Sequence, residues 1–308
     1  MRLLITGGAG FIGSNLVRLA LAEGVDVTVL DDLSTGYHEY LDGLDLRFLE
    51  ASVLDAAAVA DALADVDSVI HLAAIGSVPR SIVDPLRSHA ANATGTLVLL
   101  EEARRAGVTH VVAASSSSVY GANPALPKGE REWVRPMSPY AVSKLATEQY
   151  TLAYQDSFGL ETLAFRFFNV FGPRQAAGHP YAAVIPVFID AVLNDRPLPV
   201  NGDGLHSRDF TYVGTVCRVL LDAAHGRVSH PEPVNLAFGT NTTLLELIDA
   251  LARLTGLSPL VEHRPERLGD VRHSQADNAV LRSLFPDVRP ASLEQGLAET
   301  IAWFKGEQ

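Results

Sequence analysis

Cysteine is almost absent from this chain. Among its 308 residues there is one cysteine, Cys217. A single cysteine excludes an intramolecular disulfide and a cysteine cluster that could hold a metal. This usage is typical of a reducing compartment, so we expect a cytoplasmic protein with no metal site.

Long apolar runs and blocks of positive charge are also missing. No apolar stretch reaches the roughly 20 residues of a membrane-spanning helix, and the first residues, 1–5, run directly into a glycine motif, so we expect no signal peptide. The net charge is −12, with no segment dense in lysine and arginine. These features disfavour nucleic acid and anionic membranes as main partners. A small anionic ligand needs only local positive charge and stays open.

A glycine-rich turn follows the first predicted strand, Arg2–Thr6. Its glycines Gly7, Gly10 and Gly13 precede an amphipathic helix that we expect to end near Glu23. Glycines at such a turn let the backbone approach a pyrophosphate at the N-terminus of the helix. A glycine-rich turn in an ordinary α/β protein is the alternative, but the order strand, glycines, helix favours a dinucleotide site.

The second predicted strand, 26–30, ends in an acidic residue, Asp31. It lies about 20 residues beyond the motif, where a carboxylate binds the ribose hydroxyls of the adenosine. A carboxylate there repels a 2′-phosphate, so NAD is favoured over NADP. Further along, small residues follow strand 66–72, and Asn92 lies in a predicted helix, 85–106. We expect Asn92 either to tie strand ends together or to touch the cofactor.

A tyrosine and a lysine stand four residues apart in the stretch 138–144. Ser138 suits the N-cap of a helix and Pro139 its first turn. On such a helix Tyr140 and Lys144 share one face. A nearby ammonium lowers the pKa of a phenol, which can then act as a general base. The alternative is a chance pair of surface residues.

Four serines, 115–118, end the fifth predicted strand, 108–114. Hydroxyl groups at the carboxyl end of a central parallel strand lie where α/β sheets bind ligands. A polar strand end without function is the alternative.

The alternation of strands and helices predicts a doubly wound parallel sheet of Rossmann type. After residue 168 the alternation weakens. We therefore predict an NAD-binding domain over 1–168, to which segments around 207–237 return, and a smaller C-terminal α/β substrate domain over 169–308.

Together these residues resemble the extended short-chain dehydrogenase/reductase family, and within it the NAD-dependent nucleotide-sugar epimerases and dehydratases. The likeness is greatest to UDP-hexose 4-epimerases, notably those acting on UDP-GlcNAc. The stretches that carry it are 6–13, 116–121, 140–144, 166–172, 202–204, 208–210 and 267–270, with a closer match at 76–81, 181–186 and 269–274.

The resemblance implies roles for individual residues. The catalytic set is Ser116, Tyr140 and Lys144. The implied cofactor contacts are Gly7, Gly10, Phe11, Ile12, Gly13, Asp31, Asp32, Ser52, Val53, Leu72, Ala73, Ala74, Asn92, Tyr140, Lys144 and Phe167. The implied substrate contacts are Ser77, Ser116, Asn169, Val184, Asn201, Arg208, Arg267, Asp270 and Ser274.

The resemblance also separates related reactions. Dehydratases carry an Asp-Glu pair after the residue that corresponds to Ser116, and decarboxylases carry the Glu. Here Ser117 and Ser118 occupy those places. UDP-glucuronate 4-epimerases usually have Thr at Asn169. A bulky aromatic at Ser274 would exclude an N-acetyl group, whereas serine admits it.

We therefore expect NAD-dependent epimerisation at C4 of UDP-GlcNAc/UDP-GalNAc, UDP-glucose/UDP-galactose or both, through a transient 4-keto sugar. The alternatives are a UDP-glucuronate 4-epimerase or another nucleotide-sugar epimerase or dehydratase. A non-catalytic NAD-binding sensor would typically have lost Tyr140 or Lys144. Relatives usually dimerise through a helix bundle, so we expect a homodimer through helices 84–106 and 140–155.

Overall fold

The computed structural model describes residues 1–178, 182–265 and 272–307. The strands in these ranges are β1 Arg2–Thr6, β2 Asp26–Asp31, β3 Arg47–Glu50, β4 Ser68–His71, β5 His110–Ser116, β6 Glu161–Phe167, β7 Asn169–Phe171, β8 Leu198–Asn201, β9 Ser207–Arg208, β10 Phe210–Tyr212, β11 Val234–Leu236, β12 Thr242–Thr243 and β13 Val261–Arg264. The α-helices are α1 Phe11–Ala22, α2 Ala56–Ala62, α3 Val78–Val83, α4 Pro85–His89, α5 Gly95–Ala106, α6 Pro139–Phe158, α7 Val184–Leu193, α8 Val213–His225, α9 Leu244–Thr255, α10 Ala279–Leu284 and α11 Leu293–Phe304. None of them is both long and apolar enough to cross a membrane.

A seven-stranded sheet with the order β11-β6-β5-β4-β1-β2-β3 forms the centre of the molecule. All six strand pairs in it are parallel. The chain leaves β1 toward β2 on one side and returns to β4 on the other. This switch point opens a crevice at the carboxyl ends of the strands, where such sheets bind ligands. The predicted Rossmann-type fold is confirmed.

Helices cover both faces of this sheet, which is why its strands are almost continuously apolar. On one face α1 packs against α8, with Leu16, Val17 and Leu220 fully buried. On the other face α2, α5 and α6 enclose a second cluster that includes Val59 and Leu99. Burial on both faces holds the strand ends, and the residues that follow them, in fixed positions.

A smaller apolar cluster lies beyond the central sheet. It joins α7, α9 and α11 with the strand pair β8–β13, and its centre includes Phe188, Ile189, Leu247, Leu251 and Leu297. These elements come from the C-terminal half of the chain, whereas β11 of the same half lies in the central sheet beside β6.

Several short elements form through partners that lie far away in the sequence. The strand β7, which follows β6, pairs in parallel with β10. The strand β13 pairs with β8. The strands β9 and β10 are separated by Asp209, whose carboxylate accepts hydrogen bonds from the backbone N–H groups of Gly239, Thr240 and Ala276.

The predicted helix 85–106 continues from α4 to α5 through a π-helical turn at Ala90–Thr94. Pro186 lies in the first turn of α7, where its missing N–H has no intrahelical partner to lose.

Candidate active site

A cleft of about 650 Å³ opens at the carboxyl ends of the central strands. Seventeen of the predicted site residues line it: Gly7, Gly10, Phe11, Ile12, Gly13, Asp31, Asp32, Ser52, Val53, Leu72, Ala73, Ala74, Ser77, Ser116, Tyr140, Lys144 and Phe167. Their positions along the chain are far apart, and the fold brings them to one crevice.

The glycine turn is too tight for side chains. Gly7 has a φ of +72°, and a Cβ on Gly13 would lie 2.1 Å from the Gly7 carbonyl oxygen. The helix that follows, α1, has neither a side-chain cap at Gly10 nor an acidic residue in its first turn. Its first N–H groups therefore remain for an anion, as a dinucleotide pyrophosphate requires.

The carboxylate of Asp31 is held in place at the end of β2. It is 8% exposed, and it accepts hydrogen bonds from the N–H groups of Ala9 and Leu33, both at 2.9 Å. Burial raises the pKa of Asp31, while these two hydrogen bonds act in the opposite direction. A carboxylate fixed beside the glycine turn fits a ribose diol. The cradle and the acid together fit NAD.

The helix α6 presents the tyrosine and the lysine to the cleft. Its N-cap is Ser138, whose Oγ accepts from the Ala141 N–H at 3.2 Å, as predicted. One turn later Lys144 Nζ donates to the Ala114 carbonyl oxygen at 2.7 Å. Burial lowers the pKa of Lys144 to about 8.

The structure does not show the expected lowering of the Tyr140 pKa. Burial raises the pKa of Tyr140, and a hydrogen bond with Ser116 acts in the opposite direction. Lys144 Nζ donates to the Ala114 carbonyl oxygen instead of to the phenol. The expectation of a lowered pKa was wrong because it counted the charge of Lys144 and not the burial of the phenol.

Ser116 is the end of a short chain of hydroxyl groups. Its Oγ accepts hydrogen bonds from the N–H of Ser118 at 3.2 Å and from the Oγ of Ser118 at 2.9 Å. Because the oxygen of Ser116 accepts twice, its own proton remains for donation. An acceptor in the cleft, such as Tyr140 or a substrate oxygen, can take that hydrogen bond.

Behind the cleft a buried ion pair braces α6 against β5 and β6. Glu148 is fully buried and forms two hydrogen bonds with Arg166, at 2.7 and 2.9 Å. Ser115 Oγ donates to the same carboxylate at 2.9 Å and lies 3.3 Å from the Lys144 carbonyl oxygen. Burial lowers the pKa of Arg166, but Glu148 more than offsets this, so the net pKa is raised. The pair fixes α6 one turn after Lys144.

Asn92 lies behind the cleft and does not line it. Its Oδ1 accepts from the Ile75 N–H at 2.8 Å, and its Nδ2 donates to Ser143 Oγ at 2.9 Å. Of the two roles that the sequence left open, the structure shows the structural one. Asn92 joins the loop after β4 to α6.

His71 is a buried structural histidine. Its Nδ1 lies 2.7 Å from Thr6 Oγ1 and its Nε2 lies 3.0 Å from Thr96 Oγ1. Burial, with the charge of Lys144, lowers the pKa of His71 to about 3. The folded protein therefore keeps His71 neutral at pH values where an exposed histidine is charged.

Replacing His71 with glutamine is expected to reduce the loss of unfolding free energy that occurs as the pH falls below about 7. The folded pKa lies below the unfolded one, so His71 stabilises the fold above about pH 6.5 and loses that contribution as pH falls toward 3. Between about pH 7 and about pH 5 the wild type should lose about 2 kcal/mol of unfolding free energy through this group. Urea unfolding at both pH values measures it. Equal losses in wild type, His71→Gln and the exposed control His38→Gln would contradict this assignment.

The described substrate residues predicted in the C-terminal half, Asn169, Val184, Asn201, Arg208 and Ser274, do not line this cleft. Asn169 Nδ2 donates to the Asp209 carbonyl oxygen, and Arg208 lies in β9 beside Ser274, whose N–H donates to the Ser207 carbonyl oxygen at 3.1 Å. Val184 begins α7, directly after Ala183 of the cleft wall, and Asn201 ends β8. Arg267 and Asp270 lie outside the described residues.

The sequence analysis missed other residues of the cleft wall. They include Gly36 and Tyr37 after β2, Arg80 in α3, and Arg174 and Gln175 after β7. Arg174 lies two residues beyond the stretch 166–172 that carried the resemblance. The signal for it was therefore in the sequence, but no role was given to it. Among the described residues no group of acidic, histidine and cysteine side chains is arranged to hold a metal.

Comparison with known proteins identifies relatives along the whole chain. Residues 3–237 match the model of the NAD dependent epimerase/dehydratase family. A UDP-glucose 4-epimerase of Mycolicibacterium smegmatis is 38% identical over 314 residues, which cover 100% of this chain and 99% of that protein. A dTDP-glucose 4,6-dehydratase of Streptomyces niveus is 34% identical over 322 residues, which cover 99% of this chain and 93% of that protein. The relatives therefore catalyse more than one type of reaction.

Solved structures share the fold of this chain. The UDP-N-acetylglucosamine 4-epimerase of Methanobrevibacter ruminantium, in complex with UDP-N-acetylmuramic acid, superposes with a TM-score of 0.94 at 37% identity, covering 100% of this chain and 99% of that one. The UDP-glucose 4-epimerase of Thermus thermophilus, in complex with NAD, gives a TM-score of 0.90 at 36% identity and covers both chains fully.

Proposed function

The chain belongs to the NAD-dependent epimerase/dehydratase family and takes NAD as its cofactor; from that premise we propose that it epimerises C4 of a UDP-hexose. The substrates would be UDP-GlcNAc/UDP-GalNAc, UDP-glucose/UDP-galactose or both, and the reaction passes through a 4-keto sugar. The relatives named above as 4-epimerases of UDP-glucose and UDP-N-acetylglucosamine support this choice.

The observation that carries the proposal is the set of polar groups at the catalytic end of the cleft. Ser116, Tyr140 and Lys144 line it, whereas the only described carboxylates in its wall are Asp31 and Asp32 at the end of β2. Loss of water would need an acid and a base beside the sugar. A hydroxyl, a phenol and an ammonium suit reversible oxidation of an alcohol.

The proposed roles follow from this geometry. Bound NAD supplies the acceptor and donor for the C4 hydride. Tyr140 removes the proton of the 4-hydroxyl and later returns it to the 4-oxygen, while Ser116 donates a hydrogen bond to that oxygen. Lys144 is desolvated in the cleft one turn after Tyr140. On the resemblance given above, it binds the nicotinamide ribose and favours the phenolate form of Tyr140. Rotation of the keto sugar before the return step inverts C4.

We also propose a division of labour along the chain. Residues 1–168, with segments around 207–237, hold NAD, and residues 169–308 mainly hold the UDP-sugar. On the resemblance given above, Asn169, Arg208 and Arg267 contact the diphosphate and Asp270 the uridine ribose. Val184 and Asn201 lie near the uracil, and Ser274 leaves space for an N-acetyl group.

Incubation of the purified protein with UDP-GlcNAc, UDP-glucose and UDP-glucuronate, each separately, tests the proposal. Proton NMR of the products should show the C4 epimer of the first two substrates. Turnover of UDP-glucuronate alone would move the function to the alternative 4-epimerase class, and a 4-keto-6-deoxy product would make the protein a dehydratase. The absence of any N-acetylated epimer would contradict the role of Ser274.

An exposed apolar face on α3, α4 and α6 supports a homodimer. Ile82, Val83, Leu86 and Val142 expose between 53% and 81% of their surface, and α3 and α4 both pack against α6. Contiguous apolar surface of this kind marks interaction sites. We propose that two copies of the chain bury this face against each other through a helix bundle.

Replacing Leu86 with glutamate is expected to shift the protein from dimer to monomer. The most exposed of the four side chains, at 81%, would then place a charge in the interface. Light scattering coupled to size-exclusion chromatography measures the mass. Leu260→Glu changes a residue that is 65% exposed but lies outside this face, and it should remain dimeric. A monomeric wild type, or a dimeric Leu86→Glu variant, would contradict the dimer face.

A further inference from the structure

Arg174 occupies an unusual place in the cleft wall. It follows β7 with a φ of +67°, in the left-handed region, and its side chain lies half-buried in the cleft. Its Nη1 donates to Asn15 Oδ1 at 3.1 Å, and Asn15 Nδ2 donates to the Pro173 carbonyl oxygen at 3.0 Å. The loop after β7 is thus attached to α1, one turn beyond the residues of the glycine turn.

Among the described residues, no carboxylate lies within ion-pair distance of the Arg174 guanidinium. A second cation, Arg18, is close enough that burial and its like charge together lower the pKa of Arg174. The Nε of Arg18 is itself buried without a hydrogen-bond partner among the described residues. In a chain of net charge −12, two cations that repel each other in this way are stabilised when an anion joins them.

The backbone N–H groups of α1 and the guanidinium of Arg174 both favour a phosphate group as ligand. The free N–H groups at the start of α1 favour a phosphate oxygen, and a guanidinium fork matches a phosphate in a bidentate manner. We propose that Arg174 binds the diphosphate group of a nucleotide in the cleft. The assignment rests on the nucleotide site proposed above, and attachment of Arg174 to α1 favours the diphosphate of the dinucleotide over that of the UDP-sugar.

The diphosphate would then be held on two sides, with one contact, Arg174, coming from outside residues 1–168. We call this arrangement the clamp. The glycine turn would hold the diphosphate through backbone N–H groups, while a side chain from the loop after β7 would hold it from the opposite wall. A reaction in which the cofactor is regenerated in each cycle benefits from such retention, because the cofactor need not leave.

Two variants at Arg174 test the clamp. Arg174→Gln removes the charge and keeps a donor for Asn15, whereas Arg174→Lys keeps the charge and loses the fork. Arg253→Gln, an exposed arginine of α9 outside the cleft wall, is the charge-matched control. The dissociation constants of NAD and of UDP are measured by calorimetry, and bound NAD is quantified after denaturation of the purified protein.

We expect Arg174→Gln to raise the dissociation constant of NAD by about 10- to 100-fold and to reduce the NAD retained on purification. Arg174→Lys should lie between it and the wild type, and Arg253→Gln should match the wild type. Weaker UDP binding with unchanged NAD binding would assign the arginine to the diphosphate of the substrate.

Unchanged affinity for both nucleotides would overturn the proposal and leave Arg174 as a structural partner of Asn15. A thermal unfolding scan separates loss of fold from loss of ligand. Because binding and not turnover is measured, the result stands even if no UDP-hexose is epimerised.

Discussion

Replacing Tyr140 with phenylalanine is expected to lower kcat for C4 epimerisation by about 10²- to 10⁴-fold, the range lost when a general acid-base group is removed. The variant keeps the ring, the helix α6 and the Ser138 cap, and it removes only the oxygen that exchanges a proton with the 4-hydroxyl. Since Lys144 and the glycine turn remain, the bound NAD content and the thermal midpoint should be close to those of the wild type.

Tyr150→Phe is the matched control, because Tyr150 lies on the same helix and is 39% exposed. It should keep wild-type turnover. If Tyr140→Phe epimerises at the rate of this control, the phenol is not the acid-base group. If it loses NAD together with activity, the tyrosine acts by holding the cofactor.

Replacing Glu148 with alanine is expected to cost about 3–5 kcal/mol of unfolding free energy. The change leaves the guanidinium of Arg166, whose side chain is 4% exposed, without its carboxylate, and it removes the carboxylate that accepts from Ser115. Loss of a partner from a buried pair is costly because the remaining charge stays desolvated. Chemical denaturation at neutral pH measures the effect.

Glu294→Ala breaks an exposed pair with Arg253 and serves as the control. Its effect should be much smaller, because solvent screens exposed ion pairs. The double variant Glu148→Gln with Arg166→Met should recover part of the loss, since it removes both charges. Equal stability of Glu148→Ala and the control would show that the buried pair does not brace α6.

The regular part of the molecule could be predicted because its signals are local. The order of Arg2–Thr6, three glycines and α1 defines a strand, a turn and a helix within 22 residues, and Asp31 follows at the expected distance. Ser138 and Pro139 marked the start of α6 for the same reason. Such signals depend on the chain's own backbone and need no distant partner.

The remainder depends on partners that lie far away in the sequence. β13 exists through pairing with β8, and the break at Asp209 exists because Gly239, Thr240 and Ala276 approach its carboxylate. Arg174 illustrates the same limit for the site. Arg18 is 156 positions earlier, and only the fold brings its charge close enough to lower the pKa of Arg174.

Epimerisation in D₂O, followed by proton NMR, tests the central claim most directly. If hydride moves from C4 to bound NAD and back to the same carbon, UDP-glucose or UDP-GlcNAc should yield its C4 epimer with hydrogen retained at C4. Tyr140→Phe should yield little product in the same time. Deuterium at C4 of the product, or no epimer from either substrate, would contradict the account.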